Sequence, residues 1–240
     1  RLKGAMKTII STEDFNIKSL LKKVRSSPGI VGKDMVQWVA SEKIYKWNDS
    51  GKYKVLVIDC GVKRNILREL ANNGCRVIVV PPKTSADEIL SMKPDGILLS
   101  NGPGDPDAVP YVISTVKKLL GTRVPIFGIC LGHQMIGLAL GGRTYKLKFG
   151  HHGGNHPVKD LKTGKISITV QNHGFCVDAK SLKKSDIEIT HVNLNDNTLE
   201  GMKHKKLPVF SVQFHPEASP GPTDTAWIFD EFIASLRKNV

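Results

Sequence analysis

From Lys54 onward, short unbroken apolar runs alternate with stretches of helical spacing. Val55-Leu56-Val57-Ile58 is a continuous apolar run, the pattern of a strand covered on both faces. A helix is predicted over 65–73, where Gly74 supplies a stop. A strand over 77–80, a helix over 86–92, a strand over 96–99 and a helix over 109–120 follow. Residues 124–129 then read as a strand and 131–140 as a helix. Repeated strand–helix alternation predicts an α/β fold, a parallel sheet with helices on both faces. Further on, 166–170, 187–192 and 209–214 read as strands with little helix between them, so the sheet is expected to be mixed. An amphipathic helix over 227–236 closes the chain. The first 52 residues have another texture. They are basic, are broken by Ser26-Ser27-Pro28-Gly29, and place Phe15, Ile17, Leu20, Leu21 and Val24 at roughly helical spacing after Glu13-Asp14. They are read as a linker or remnant that packs against something else, with the main domain over 53–240.

Length and composition narrow the class. The 240 residues are 40% hydrophobic and 24% charged, within the ordinary range of a globular chain. No apolar window is long enough to span a membrane, and Arg1-Leu2-Lys3-Gly4-Ala5-Met6 has no secretory character. A soluble, cytoplasmic protein is expected. The net charge of +13 invites a nucleic-acid reading, but aromatics are only 6% and no basic-aromatic strip is present. About half of the excess lies in the first 54 residues, with 12 Lys/Arg against 5 Asp/Glu. An acidic partner or substrate accounts for the charge equally well. The four cysteines, Cys60, Cys75, Cys130 and Cys176, are too few and too scattered for a disulfide framework or a zinc site.

One cysteine differs from the rest. Gly128-Ile129-Cys130-Leu131-Gly132-His133-Gln134 falls where a buried strand passes into a helix. A nucleophile there sits on a tight turn, glycines let substrate approach, and the helix N-terminus favours a thiolate and a developing oxyanion. The plain alternative is a core cysteine beside a turn. In Gln213-Phe214-His215-Pro216-Glu217, residues two apart face the same way along a strand, so Glu217 is placed to steer His215. Alone, that triplet reads as a surface turn. Asn101-Gly102-Pro103-Gly104-Asp105-Pro106 follows a strand at the end where open α/β sheets bind ligands, or merely leads into the next helix. Gly150-His151-His152-Gly153-Gly154-Asn155-His156-Pro157 and Gln171-Asn172-His173-Gly174-Phe175 are expected as loops beside strands. The histidines lack metal-ligand spacing, so no metal is assigned.

Taken in order, the G-I-C-L-G-H-Q, N-G-P-G-D-P and Q-F-H-P-E-A segments resemble the class I (triad) glutamine amidotransferases, a three-layer, flavodoxin-like α/β fold. Phe149 to Val158, Gln171 to Phe175 and Pro216 to Pro222 narrow the resemblance to the small, glutamine-hydrolysing subunits of carbamoyl-phosphate synthetases. Gly61 to Ile66 and Pro28 to Met35 fit the same group. The resemblance implies Cys130 as nucleophile, His215 as general base and acid, and Glu217 as its orienter. It implies Gly104 and Leu131 as oxyanion donors, and Gly102, Gln134, Asn172, Gly174 and Phe175 as the pocket for L-glutamine. It further implies a large-subunit partner that receives ammonia and consumes bicarbonate and Mg-ATP, with no cofactor, nucleic acid or membrane for this chain, and arginine or pyrimidine synthesis as the setting. Residues 1–52 then correspond to the end of the family's N-terminal domain, whose earlier part is implied to give a serine to the glutamine site and part of the large-subunit contact. The rival readings are an amidotransferase subunit of another synthetase and a non-catalytic interaction module.

Overall fold

The apolar runs sit where a sheet covered on both faces needs them. The structure is a computed structural model and describes residues 4–237; the outermost ends of the two predicted segments, 1–3 and 238–240, lie outside the described residues. In chain order the elements are α1 (Ile17–Ser26), β1 (Tyr45–Lys46), β2 (Tyr53–Ile58), α2 (Arg64–Asn72), β3 (Cys75–Val80) and α3 (Ala86–Ser91). They continue with β4 (Gly96–Leu99), α4 (Pro110–Leu120), β5 (Ile126–Ile129), α5 (Leu131–Ala139), β6 (Thr144–Asp160) and β7 (Ile166–Val177). The last are β8 (Ile187–Asn193), β9 (Leu199–His204), β10 (Val209–Val212) and α6 (Ile228–Arg237). One ten-stranded sheet runs β1-β3-β2-β4-β5-β10-β9-β8-β6-β7. Strands β3, β2, β4, β5 and β10 are parallel, while β1 and the block β9-β8-β6-β7 are antiparallel.

Alternate residues of the central strands feed two cores. Leu56, Ile58, Ile97 and Leu99 face α3, α4 and α5, meeting Ile89, Val112, Val116, Met135 and Ile136. Val55, Val57, Leu98 and Phe127 face α2 and α6, meeting Ile66, Leu70, Phe229 and Phe232. Phe127 stacks on Phe210 at 4.7 Å and meets Phe229 edge-on at 6.0 Å. Three layers result, and the carboxyl ends of the parallel strands open on one side.

Several expectations shift. The strand expected from 124 begins at Ile126, because Pro125 has no N–H for the ladder and only its carbonyl pairs, with Ile97 N at 2.8 Å. α1 is capped by Asn16, whose Oδ1 accepts from Lys18 N and Ser19 N, rather than starting at Glu13-Asp14. None of its residues is buried, and Phe15 and Ile17 are 79% and 73% exposed. Packing in this segment comes instead from its second half, where Val36 is wholly buried. The two motifs expected as loops are strand: 150–157 lies inside β6 and 171–175 inside β7, paired His151 to His173 and His152 to Asn172. Register shifts between Lys146 and His151 and between Gly153 and His156 bend β6, which explains why its residues show no clean alternation. No helix among the described residues is long and apolar enough to cross a membrane.

Candidate active site

The site forms at the carboxyl ends of the parallel strands. β5 ends at Ile129 and α5 starts at Leu131, so the chain must reverse within Cys130. Cys130 takes φ 55° and ψ −102°, a backbone that side-chain-bearing residues rarely adopt and that marks functional turns. Its N–H donates to Val212 O at 2.9 Å and its carbonyl accepts Gln134 N at 3.1 Å, which fixes the turn from both sides. Gly132 lets the helix press on β4: a Cβ there would lie 2.3 Å from Leu99 O. Leu131, as the first residue of α5, has an N–H with no acceptor inside the helix.

β10 runs beside β5, and three residues beyond its end His215 arrives above the cysteine. Its Nδ1 donates to Glu217 Oε1 at 2.7 Å, leaving Nε2 as the other titrating atom of the ring. Burial opposes the charged imidazole. The negative charge and hydrogen bond of a Cys130 thiolate, with Glu217 behind, outweigh that cost and raise the His215 pKa to about 10. Glu217 is held in turn by α2 and the residues before it. Lys63 Nζ lies 3.4 Å from its Oε1 and also donates to Ala218 O, while Asn65 Nδ2 donates to Glu217 O. The other cysteines are core thiols. Burial pushes Cys60, Cys75 and Cys176 up, the last two to about 12.

A cavity of about 380 Å³ opens on Cys130 and His215. The loop after β4 forms one wall with Asn101, Gly102, Pro103 and Gly104; β7 forms the opposite wall with Asn172, His173, Gly174 and Phe175. Gln134 lies at its base, donating from Nε2 to Phe175 O at 2.8 Å and to Gln213 Oε1 at 3.0 Å. Thus the residues picked out by sequence, Cys130, His215, Gly102, Gly104, Gln134, Asn172, Gly174 and Phe175, surround one space, with Glu217 and Leu131 directly behind it.

Six lining residues were not among the predicted site residues: Ile30, Gly61, Asn101, Pro103, His152 and His173. Ile30 comes from the N-terminal segment, and that approach is anchored by Gly32 N donating to Asp105 Oδ2 at 2.8 Å. Gly61 follows β2, His152 comes from β6, and His173 from the middle of β7. The last two carried a signal in their histidine-glycine motifs, whereas Gly61 and Ile30 were marked only by lying in the segments Gly61 to Ile66 and Pro28 to Met35 that fit the family. His151, His173 and Glu200 offer ligand atoms within 4.8 Å of one another. Most of their atoms already serve a hydrogen-bond network: His151 Nε2 meets Asp196 Oδ2 at 2.8 Å, and Glu200 accepts from Gln171 Nε2 and Asn193 Nδ2 at 2.8 and 2.9 Å. His151 Nδ1, 3.5 Å from Glu200 Oε1, has no hydrogen-bond partner among the described residues.

A thiol on a strained turn, a base within its reach, a carboxylate behind the base and free amides along the wall suit acyl transfer from a small carboxamide. The comparisons agree with that geometry. The family described as Glutamine amidotransferase class-I matches residues 56–235. A carbamoyl phosphate synthase small chain from Syntrophotalea carbinolica is 50% identical over 98% of this chain and 66% of its own length. One from Methanopyrus kandleri is 51% identical over 100% of this chain and 67% of its own. The chain therefore spans about two thirds of the length of the curated relatives it matches. Among solved structures, a putative GMP synthase component from Thermoplasma acidophilum superposes with a TM-score of 0.68 at 25% identity, over 78% of this chain and 95% of that one. With the elbow cysteine, the sheet order and these matches in place, the chain belongs to the class I glutamine amidotransferase family, alongside the carbamoyl phosphate synthase small chains.

Proposed function

We propose that this chain hydrolyses L-glutamine to glutamate and ammonia and passes the ammonia to a synthetase large subunit that makes carbamoyl phosphate. The observation that carries the reading is the alignment of Cys130, His215 and Glu217 at the floor of one amino-acid-sized cavity. Cys130 Sγ attacks the side-chain carbonyl carbon of glutamine. The oxyanion so formed faces the amides of Gly104 and Leu131, donors whose removal in such chemistry costs on the order of 100- to 1000-fold. His215, held charged by its partners, gives its proton to the leaving nitrogen, and a γ-glutamyl thioester forms as ammonia departs. His215 then takes a proton from water, which attacks the thioester carbonyl and releases glutamate and the thiolate. Glu217 keeps the ring oriented and stabilises its charged form throughout. The steps balance with glutamine and water alone, so the chain itself is assigned no cofactor or metal; ATP, bicarbonate and Mg belong to the partner.

The large-subunit partner rests on the relatives' name, a small chain, and on the need to deliver ammonia before it is protonated; the cytoplasmic setting and the link to arginine or pyrimidine synthesis rest on the sequence resemblance alone. Glutamate release from glutamine, measured with and without a carbamoyl phosphate synthase large subunit, tests the reading. Release that rises with the partner and vanishes in Cys130→Ser is expected. Release that survives Cys130→Ser overturns the mechanism.

A further inference from the structure

Glu200 is a wholly buried carboxylate on β9 that the proposed chemistry does not use. Burying such a charge costs several kcal/mol unless donors surround it, so its surroundings show what it is for. Its Oε2 accepts from Gln171 Nε2 at 2.8 Å and its Oε1 from Asn193 Nδ2 at 2.9 Å, with His151 Nδ1 3.5 Å away. A carboxylate only accepts, so the Gln171 amide can turn only its NH2 toward Glu200. The second hydrogen of that NH2 goes to Thr169 Oγ1 at 3.1 Å. Gln171 Oε1 is thereby aimed at His173 Nε2, 2.9 Å away. Burial lowers the His173 pKa to about 4, so the neutral ring has one proton, and with Gln171 Oε1 as acceptor it sits on Nε2. Nδ1 then lies against Phe175 O at 2.8 Å without a proton to donate, and Phe175 O accepts from Gln134 Nε2. His173, Phe175 and Gln134 are cavity wall. A second arm leaves the same residue through its backbone: Gln213 N donates to Glu200 O at 2.9 Å, and Gln213 Oε1 accepts from Gln134.

We propose that Glu200 is a positioning residue for the glutamine cavity, setting the Gln171 amide and through it the ring of His173 and the wall made by His173 and Phe175. It touches neither the nucleophile nor the base, so it acts on the fit of the substrate rather than on the reactivity of Cys130. Loss of the carboxylate frees Gln171 to turn over and present NH2 to His173 Nε2, so the ring's single proton is no longer held on Nε2 and neither its tautomer nor its seat in the wall is set. Glu200→Gln supplies one oxygen where two donors require one each, so its NH2 meets the NH2 of Gln171 or Asn193 and the relay breaks at one point.

The inference rests on reading this cavity as the glutamine site, and the test separates the two. The full chain and its Glu200→Ala and Glu200→Gln variants are treated with 6-diazo-5-oxo-L-norleucine, an electrophile shaped like glutamine, and alkylation of Cys130 is followed by mass spectrometry. Iodoacetamide, which has no glutamine shape, reports the bare thiol, and thermal unfolding reports folding. In Glu200→Ala the half-saturating concentration of the analogue rises by about five- to tenfold, in Glu200→Gln by about threefold, the loss expected for one or two broken hydrogen bonds. The limiting alkylation rate and the iodoacetamide rate stay within about twofold, which a general loosening of the site would not allow. An unchanged half-saturating concentration in a folded variant overturns the inference, with Glu200→Gln deciding where Glu200→Ala fails to fold. Absence of saturable alkylation in the native chain overturns both the inference and the glutamine reading.

Discussion

Gly102→Ala offers a quantitative test of the oxyanion role proposed for the loop after β4. A Cβ on Gly102 would stand 2.1 Å from Cys60 O and 2.7 Å from Leu131 Cδ2. Ordinary contact begins at 3.4 Å, so the loop after β4 must retreat by about 1 Å from the carbonyl that follows β2. The obstructing atom is backbone, and it is not free to give way. Cys60 N donates to Ser100 Oγ at 2.9 Å, while Asp59 accepts Gly61 N, Val62 N and Ser41 N at 2.8 to 2.9 Å. The displacement therefore falls on Gly102 to Gly104 and carries the Gly104 amide away from Cys130. A misplacement of about 1 Å in a reacting constellation costs on the order of 100-fold. Glutamate release by Gly102→Ala should fall by about that factor, with saturable alkylation of Cys130 by the glutamine analogue weakened in parallel. Thermal unfolding is run beside it, because overpacking itself destabilises by about 1–3 kcal/mol. A folded Gly102→Ala chain that releases glutamate at the native rate would refute the assignment of this loop to the oxyanion wall.

Four further outcomes follow from the structure. Because burial disfavours charge on His215 while the Cys130 thiolate and Glu217 restore it, the imidazole in Cys130→Ser should titrate at lower pH than in the native chain, as read by imidazole nitrogen NMR. The sign for turnover is set likewise: His215 must carry the proton given to ammonia, so glutamate release is expected to fall as pH climbs through about 10, and an activity still rising there contradicts it. Gly132→Ala drives a Cβ to 2.3 Å from Leu99 O and should cost about 1–3 kcal/mol, seen as a melting-temperature drop of several degrees. Ser211→Ala removes the hydrogen-bond partner of buried His133, whose Nδ1 lies 2.8 Å from Ser211 Oγ and whose Nε2 has none among the described residues. Burial holds that ring neutral, with its pKa lowered to about 3, so the loss is that of a neutral hydrogen bond, about 1–3 kcal/mol in urea unfolding.

The parallel half of the fold was legible because its strands are covered on both faces. Unbroken apolar runs such as Val55 to Ile58 have no solvent-facing position to obscure them. The antiparallel half was less legible for the converse reason. β6 is 17 residues long yet only His151 and Val158 in it are buried, and its two register shifts destroy the alternation that marks a strand. Its histidines and glycines therefore read as loop. β9, Leu199 to His204, carries buried Glu200 within an unbroken run of four buried residues, Leu199 to Met202, a pattern set by the network beneath the cavity rather than by one apolar face.

The site divides along a similar line. Cys130 was legible because its chemistry demands a local backbone, the tight reversal between β5 and α5, and glycines record that demand in sequence. His215 and Glu217 were picked out by a two-residue spacing along a strand, but that strand ends at Val212 rather than 214 and the pair meets in the turn beyond it; the meeting with Cys130 depends on the long-range pairing of β10 beside β5. Ile30 shows the opposite case. Gly32 beside it, at φ +73°, marks a turn but not where the turn docks; Ile30 reaches the cavity because Asp105 holds Gly32 and because Gly104, lacking a Cβ, lets Lys33 and Met35 lie close. A residue placed by such tertiary contacts leaves no local trace. It follows that the loop Gly102 to Asp105 ties the N-terminal segment to the proposed oxyanion wall: Gly32 N donates to Asp105 Oδ2 at 2.8 Å, and a Cβ added at Gly104 would stand only 3.1 to 3.2 Å from Met35 and Lys33 O, so a movement of residues 30–35 bears on the loop that carries the Gly104 amide.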